Sequence, residues 1–362
     1  MVLEGNQLRK IQHINVVARE NVEGPLTTFF EYVFLVHNAS SEVSITSVDL
    51  RTRFLGKTLE APIVITGMTG GAPGTEKINR GLAELALKYR VGLGLGSQRA
   101  ALEEPGLEYT FKIARSVAPE IPIIANIGAA EAVKLSIEKI ERAVEMIEAD
   151  AIAIHLNLAQ ELVQLEGSKG FTGLRDRVAE LKEVLSVPII IKEVGNGLSF
   201  EAVKTFYDLG IRYFDTAGAG GTNWVKVEMF RAIEAGNDLK RAMAENMVEW
   251  GIPTAASIIE ARSAAPNAFI IGSGGIRSAF DAVKALRLGA DVVGMAKPLL
   301  MALLRGDAVK YLGAFIESMK ALLALTGSYN VSGLRHRPVI ITGMLREWVV
   351  ERGLKVVNTL IT

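Results

Sequence analysis

The sequence predicts an α/β fold, a (β/α)8 TIM barrel with an N-terminal β-rich extension and a C-terminal helical tail, and three observations predict it. Eight short apolar runs recur along the chain, at residues 61–66, 91–96, 121–126, 150–155, 188–193, 211–216, 268–273 and 291–296. Most are rich in Ile and Val without polar alternation, the pattern of parallel strands covered on both faces. Segments of helical periodicity fill the intervals, so strand and helix alternate eight times. The runs end in, or lead directly into, Gly, a small polar residue or a charge. In such barrels the chemistry sits where the strands end, which turns the run ends into a list of candidate site residues.

Residues 1–60 read as the extension. It has β-type runs at 30–36 and 43–48, is expected to cap one end of the barrel, and carries a basic motif at Arg9 and Lys10. Residues 61–310 read as the barrel. Pro122 and Pro188 stand at strand entrances, where no ladder N–H is lost. Gly210 and Gly289 each close a helix before the next strand. The interval 218–266 is longer than the others and reads as an insertion with two helical patterns, opened by a mobile loop at 218–224. Residues 311–362 read as a helical tail packed on the barrel.

With 362 residues, 49% of them hydrophobic, the chain can bury a large core. Forty basic residues balance forty acidic ones, which speaks against nucleic acid or a membrane surface as partner. The absence of Cys excludes disulfides, thiolate chemistry and Cys-based metal sites. No apolar run is long enough to span a bilayer and the N-terminus has no signal-type segment, so the expectation is a cytoplasmic protein.

The last two run ends are the most specific. The seventh continues Gly272-Ser273-Gly274-Gly275-Ile276-Arg277 and the eighth Met295-Ala296-Lys297. Two glycines alone equally make a tight strand–helix turn, but loops after strands seven and eight often grip a phosphate through backbone N–H groups, and the Lys297 loop favours that reading. The first run ends Gly67-Met68-Thr69-Gly70-Gly71, a flat backbone that can lie under an aromatic ring. Asn126 ends the third; alone it reads as a helix cap. Lys192 interrupts an Ile-rich run and demands an anion, and Glu193 points to the opposite face of the strand. His155, Asn157, Gln160 and Glu161 fall within seven residues past a buried strand. His155 alone reads as a core histidine. The cluster instead suits a diphosphate with Mg²⁺, which takes one or two carboxylate oxygens plus phosphate and water. Ser97, Gln98 and Arg99 add a hydroxyl, an amide and a guanidinium at the same rim, and Thr222 adds a second Gly-rich loop.

These motifs together resemble one family. MTGG at 68–71, GSQR at 96–99, HLNLAQE at 155–161, KEVGNG at 192–197, AGAGGTNW at 217–224, GSGGIR at 272–277 and RKIQH at 9–13 are similar to the type 2 isopentenyl-diphosphate isomerases, in the same order over nearly the whole chain. Asn223 stands where many relatives have Ser. The resemblance implies an FMN-containing barrel that interconverts isopentenyl and dimethylallyl diphosphate in isoprenoid biosynthesis. It implies that Gly67, Met68, Thr69, Ser97, Asn126 and Lys192 face the flavin ring and ribityl chain, and that Thr222, Gly275, Ile276, Arg277, Ala296 and Lys297 hold its phosphate region. Arg9, Lys10, Ser97, Gln98, Arg99, His155, Asn157 and Gln160 are implied to hold the substrate, and Glu161 to ligate Mg²⁺.

The reaction moves a proton between allylic carbons with no net redox change. No side chain listed is a free strong acid at the hydrocarbon end, and the family's answer is reduced FMN as acid and base, assisted by Lys192, His155 and Gln160. NADPH would serve only to reduce the flavin, and the family implies a homotetramer or larger homo-oligomer. Two other readings compete. An FMN-dependent barrel oxidoreductase, of the 2-hydroxy acid oxidase or dihydroorotate dehydrogenase type, calls for a His beside an Arg; the one close pair, Arg335-His336, lies in the tail. A non-catalytic phosphate-ligand-binding barrel would have no use for the carboxylate at Glu161.

Overall fold

The computed structural model describes residues 5–358. Twelve strands are present among them: β1 (Val33–Leu35), β2 (Thr52–Phe54), β3 (Lys57–Leu59), β4 (Ile63–Ile65), β5 (Gly92–Gly94), β6 (Ile123–Gly128), β7 (Ala151–Leu156), β8 (Ile189–Glu193), β9 (Tyr213–Asp215), β10 (Phe269–Ser273), β11 (Val292–Met295) and β12 (Val339–Ile341). Strands β4 to β11 pair in parallel, each with its successor, and the ring closes where Val293 of β11 faces Ile63 of β4. Every one of these strands falls on an expected apolar run; β6 begins and ends two residues later.

Alternation along the strands sorts the core into two layers. Ile63 and Ile65 point outward into the cluster shared with the helices, and Val64 points inward. The inner layer also contains Ile124, Ala153, Ile190 and Ile271. Strands β2 and β3 form an antiparallel hairpin whose Phe54 and Leu59 join that layer, Phe54 stacking on Phe269 at 4.9 Å. This plugs the end at which the strands begin and leaves the other end for chemistry. Phe54→Ala is expected to lower stability by about 3–5 kcal/mol, read by urea or thermal unfolding. Ligand binding at the far end should not change.

The extension differs from expectation in its detail. Its longest element is a helix, Gly5–Arg19, and of the two β-type runs only Val33–Leu35 is extended; residues 45–47 form a single 3-10 turn. Nothing in 43–48 has a strand to pair with, and Ser44 instead caps that turn by accepting from the Thr46 N–H. The tail is helical apart from β12, which pairs antiparallel with β1. Residue 310 falls inside the helix Ala308–Leu325, which packs between Ala279–Leu288 and Thr75–Tyr89 and so completes the outer ring. The interval 218–266 contains three helices, Trp224–Glu234, Asp238–Glu245 and Thr254–Ala264. The loop at 218–224 is tied down rather than loose: Gly218 donates to the Ser273 carbonyl, Ala219 to Ile252, and Thr222 bridges to Glu23.

Candidate active site

A cleft of about 1630 Å³, counted out to its open mouth, lies where the barrel strands end. Every candidate residue from the sequence lines it except Gln98. Gln98 is fully buried in the wall: its amide donates to the Ala143 carbonyl, and its side-chain oxygen accepts from the Asn126 N–H at 3.0 Å. It braces the strand that presents Asn126 and has no polar atom left for a ligand, so its assignment to the substrate is not supported by its position.

The N-terminal helix Gly5–Arg19 brings Arg9, Lys10 and His13 to the rim, and Val16 and Val17 fasten it to Val227 of the insertion. Lys10 Nζ donates to the Ser97 carbonyl at 3.3 Å, and Arg99 is held by Glu103 and by Glu131 at 2.9 Å. Burial, and then the charge of Arg9, pushes the Lys10 ammonium down to about 7. Burial also lowers Arg9, with Arg99 adding to it. His155 is pushed down to about 3, by burial and then by Lys192, Lys10 and Arg9, so its imidazole is neutral. Its Nδ1–H donates to Asn126 Oδ1 at 2.8 Å, a role assigned from the partner, because an amide oxygen only accepts. The result is a crowded, largely buried group of cations around a neutral imidazole, in which the charged forms of Arg9 and Lys10 are disfavoured by burial and by neighbouring cations, an arrangement that an incoming polyanion relieves.

Beside the cluster, Glu161 accepts from Asn157 Nδ2 at 2.9 Å and from the Ser168 N–H at 2.6 Å. Gln160 donates to Glu228 at 2.9 Å, and Glu228 also takes His13 at 2.9 Å and Arg231 at 2.6 Å. Burial alone would raise Glu228; His13, Arg231 and Gln160 instead carry it down to about 2. The sequence reading missed Glu228 and Arg231. They sit in the insertion, far along the chain from Gln160, and the only local signal is an acid–base pair three residues apart on one helix.

At the floor, Lys192 Nζ donates to the Glu193 carbonyl at 2.6 Å and lies 4.0 Å from Asp215. The Glu193 carboxylate turns away and accepts from the N–H groups of 194–196, so it does not answer Lys192. Gly67 lies so close to the Leu95 carbonyl that a Cβ there would collide with it. At the far end Gly274 and Gly275 adopt positive φ (105° and 66°), which leaves their backbone exposed to the cleft. Arg277 and Lys297 converge there on one oxyanion, the Glu23 carboxylate, at 2.6 and 3.2 Å.

Three buried polar atoms along this cleft have no hydrogen-bond partner: Thr69 Oγ1 on the floor, and Arg9 Nε and Asn157 Oδ1 at the cation end. Unsatisfied groups of that kind are rare in native proteins and mark places for a ligand. Together with the oxyanion grip at Arg277 and Lys297, they fit a flavin nucleotide on the floor and a diphosphate at the rim. Among the described residues no cluster of three His, Cys, Asp or Glu could hold a metal. The Arg335-His336 pair is remote from the cleft: Arg335 binds Asp291, where β11 begins, at 2.6 Å.

Fold and cleft define a (β/α)8 barrel enzyme with a cation-lined cleft at its strand ends. The family model of FMN-dependent dehydrogenase matches residues 168–340. The chain is 46% identical to an isopentenyl-diphosphate delta-isomerase of Ignicoccus hospitalis, over 96% of each chain, and 40% identical to that of Methanosarcina mazei, over 96% of this chain and 95% of the relative. The chain therefore belongs to the isopentenyl-diphosphate delta-isomerases, in their type 2, FMN-dependent form. A solved mandelate oxidase with benzoyl-formic acid superposes with a TM-score of 0.62 over 91% of this chain and 94% of that one; at 14% identity this likeness concerns the fold alone.

Proposed function

We propose that this chain catalyses the reversible 1,3-allylic isomerisation of isopentenyl diphosphate to dimethylallyl diphosphate, with reduced FMN on the floor of the cleft and Mg²⁺ at its rim. The observation that carries the reading is a single cleft with two separate oxyanion grips, one at Arg277 and Lys297 and one at Arg9, Lys10 and Arg99. The first suits the phosphate of the nucleotide, with Thr222, Gly275, Ile276 and Ala296 beside it. The second suits a diphosphate, with Ser97, His155, Asn157 and Gln160 around it. When bound, reduced FMN supplies the proton donor and acceptor.

The side chains do the rest. Gly67, Met68, Thr69 and Asn126 would hold the ring, and Lys192 would supply it with a positive charge. Glu161, beside the orphaned Asn157 Oδ1, offers Mg²⁺ the small number of protein oxygens that ion accepts when phosphate supplies the remainder. The N-terminal helix and Trp224 line the mouth, where they would keep water from the hydrocarbon end of a bound substrate.

The test is isomerisation under anaerobic conditions. Activity with reduced FMN and none with oxidised FMN is expected; a colourless protein that takes up no FMN, or equal activity with both forms, would refute the reading. We also propose that NADPH is the reductant, that the enzyme works in the cytoplasm, and that it assembles as a homotetramer or larger. Among the described residues no helix is long and apolar enough to cross a membrane. The outer face of the β1–β12 ribbon is apolar and open, with Phe34 and Ile340 directly opposite one another and both half-exposed, which supports self-association. A monomer mass in solution would refute the assembly.

The cation cluster gives the reaction a pH dependence with a definite sign. Diphosphate binds the protonated Lys10, and in the free protein that ammonium loses its proton at about 7. Affinity is therefore expected to be flat below pH 7 and to fall above it, by up to about tenfold per unit. Lys10→Arg, which keeps its charge throughout, should flatten the profile. Inorganic pyrophosphate titrated by calorimetry from pH 6 to 9 measures this; an unchanged slope in the variant would place the titration elsewhere.

A further inference from the structure

We propose that Asp215 is a positioning residue that acts through Lys192: it offsets part of the lysine's charge and so sets how strongly the site prefers reduced over oxidised FMN. The inference rests on the flavin reading above and extends it to a residue outside the sequence motifs.

Lys192 and Asp215 are register partners on β8 and β9, side by side on the inner wall, with Nζ and Oδ2 4.0 Å apart. Asp215 is 3% exposed. It stands at the boundary between the apolar inner layer, with Ile190 and Ile271 around it, and the floor of the cleft. It borders a small void directly beneath the cleft that is also lined by Thr66, Gly67, Asn126 and Lys192. A buried carboxylate needs a cation or donors to stay charged, and here it has both. The Ser273 hydroxyl donates to Asp215 Oδ1. The same Ser273 oxygen accepts from the Ala217 N–H at 3.0 Å, which holds the hydroxyl in place beside the carboxylate. Burial pushes the Asp215 carboxyl up, and Lys192 and Ser273 oppose the rise.

The lysine is only partly answered. One of its three N–H donors goes to the Glu193 carbonyl, and Asp215 lies beyond hydrogen-bond distance, close enough to act by charge alone. Lys192 therefore still presents donors to the cleft while a fixed negative charge stands behind it. Two-electron reduction brings negative charge onto the flavin; a cation at its edge favours the reduced form, and an anion behind that cation weakens the preference.

The experiment compares the midpoint potential of bound FMN in the wild type, Asp215→Asn, Lys192→Met and the double variant, by spectroscopic titration. Asp215→Asn is expected to favour reduced FMN about tenfold more than wild type does, a rise of about 30 mV for a two-electron couple. In the Lys192→Met background the same change should have almost no effect, which a merely structural role would not produce. If Asp215→Asn folds poorly, Asp215→Ser removes the same charge and should raise the potential likewise. An unchanged or lowered potential overturns the proposal, as does a full rise in the absence of Lys192. Failure of the wild type to bind FMN at all would instead bring down the flavin reading, and this inference with it.

Discussion

Lys192→Met is expected to reduce kcat/KM by about 10²–10³-fold and to loosen FMN, while far-ultraviolet circular dichroism stays that of the wild type. The lysine stands in an otherwise apolar strand, its nitrogen lies at the floor of the cleft, and its nearest carboxylate is 4.0 Å away. Loss of the side chain would leave the flavin edge without a cation and would remove the charge that opposes the burial-driven rise of the Asp215 carboxyl, so that group is expected to take up a proton. Flavin content read at 450 nm after gel filtration, together with turnover on isopentenyl diphosphate, decides the matter. Equal content and equal turnover would remove Lys192 from the flavin's surroundings.

Glu161→Gln is expected to raise the Mg²⁺ concentration needed for half-maximal activity by about 100-fold. Turnover at saturating metal should recover most of the loss. The substitution keeps the size of the side chain and one acceptor for Asn157 or Ser168, so the local turn survives, and what disappears is the negative charge that a hard dication requires. The readout is a Mg²⁺ titration at fixed substrate, repeated with Asn157→Ala to ask whether the orphaned amide oxygen shares the ion. A titration midpoint that does not move would show that the carboxylate is structural.

Much of this architecture could be read from the chain, for identifiable reasons. Parallel barrel strands are covered on both faces, so their Ile and Val runs stand out, and their ends mark one rim. That is why residues as distant as Met68 and Lys297 could be assigned to one place. Four features escaped. The helix Gly5–Arg19 was visible only as a basic motif, because its polar residues point into a polar cleft and its apolar anchor is short. Gln98 was read as a rim residue, whereas the turn after β5 swings its amide back into the wall against Ala143. The hairpin that plugs the barrel turns at Leu55 and Gly56, both at positive φ, and a single Leu-Gly pair is a weak turn signal without Asn or Asp. Glu228 and Arg231 were hidden for a different reason: their partners come from other elements, and only the fold brings them together.

The antiparallel clasp between β1 and β12 has a consequence for how the molecule is made. The strand nearest the start of the chain finds its only strand partner, among the described residues, close to its end. On the ribosome the leading segment must wait, with Val33 unshielded, until β12 has been synthesised. Such late, distant pairing is slow to form. The clasp is therefore among the last contacts to form, and the interval before it closes is when the chain is most open to aggregation.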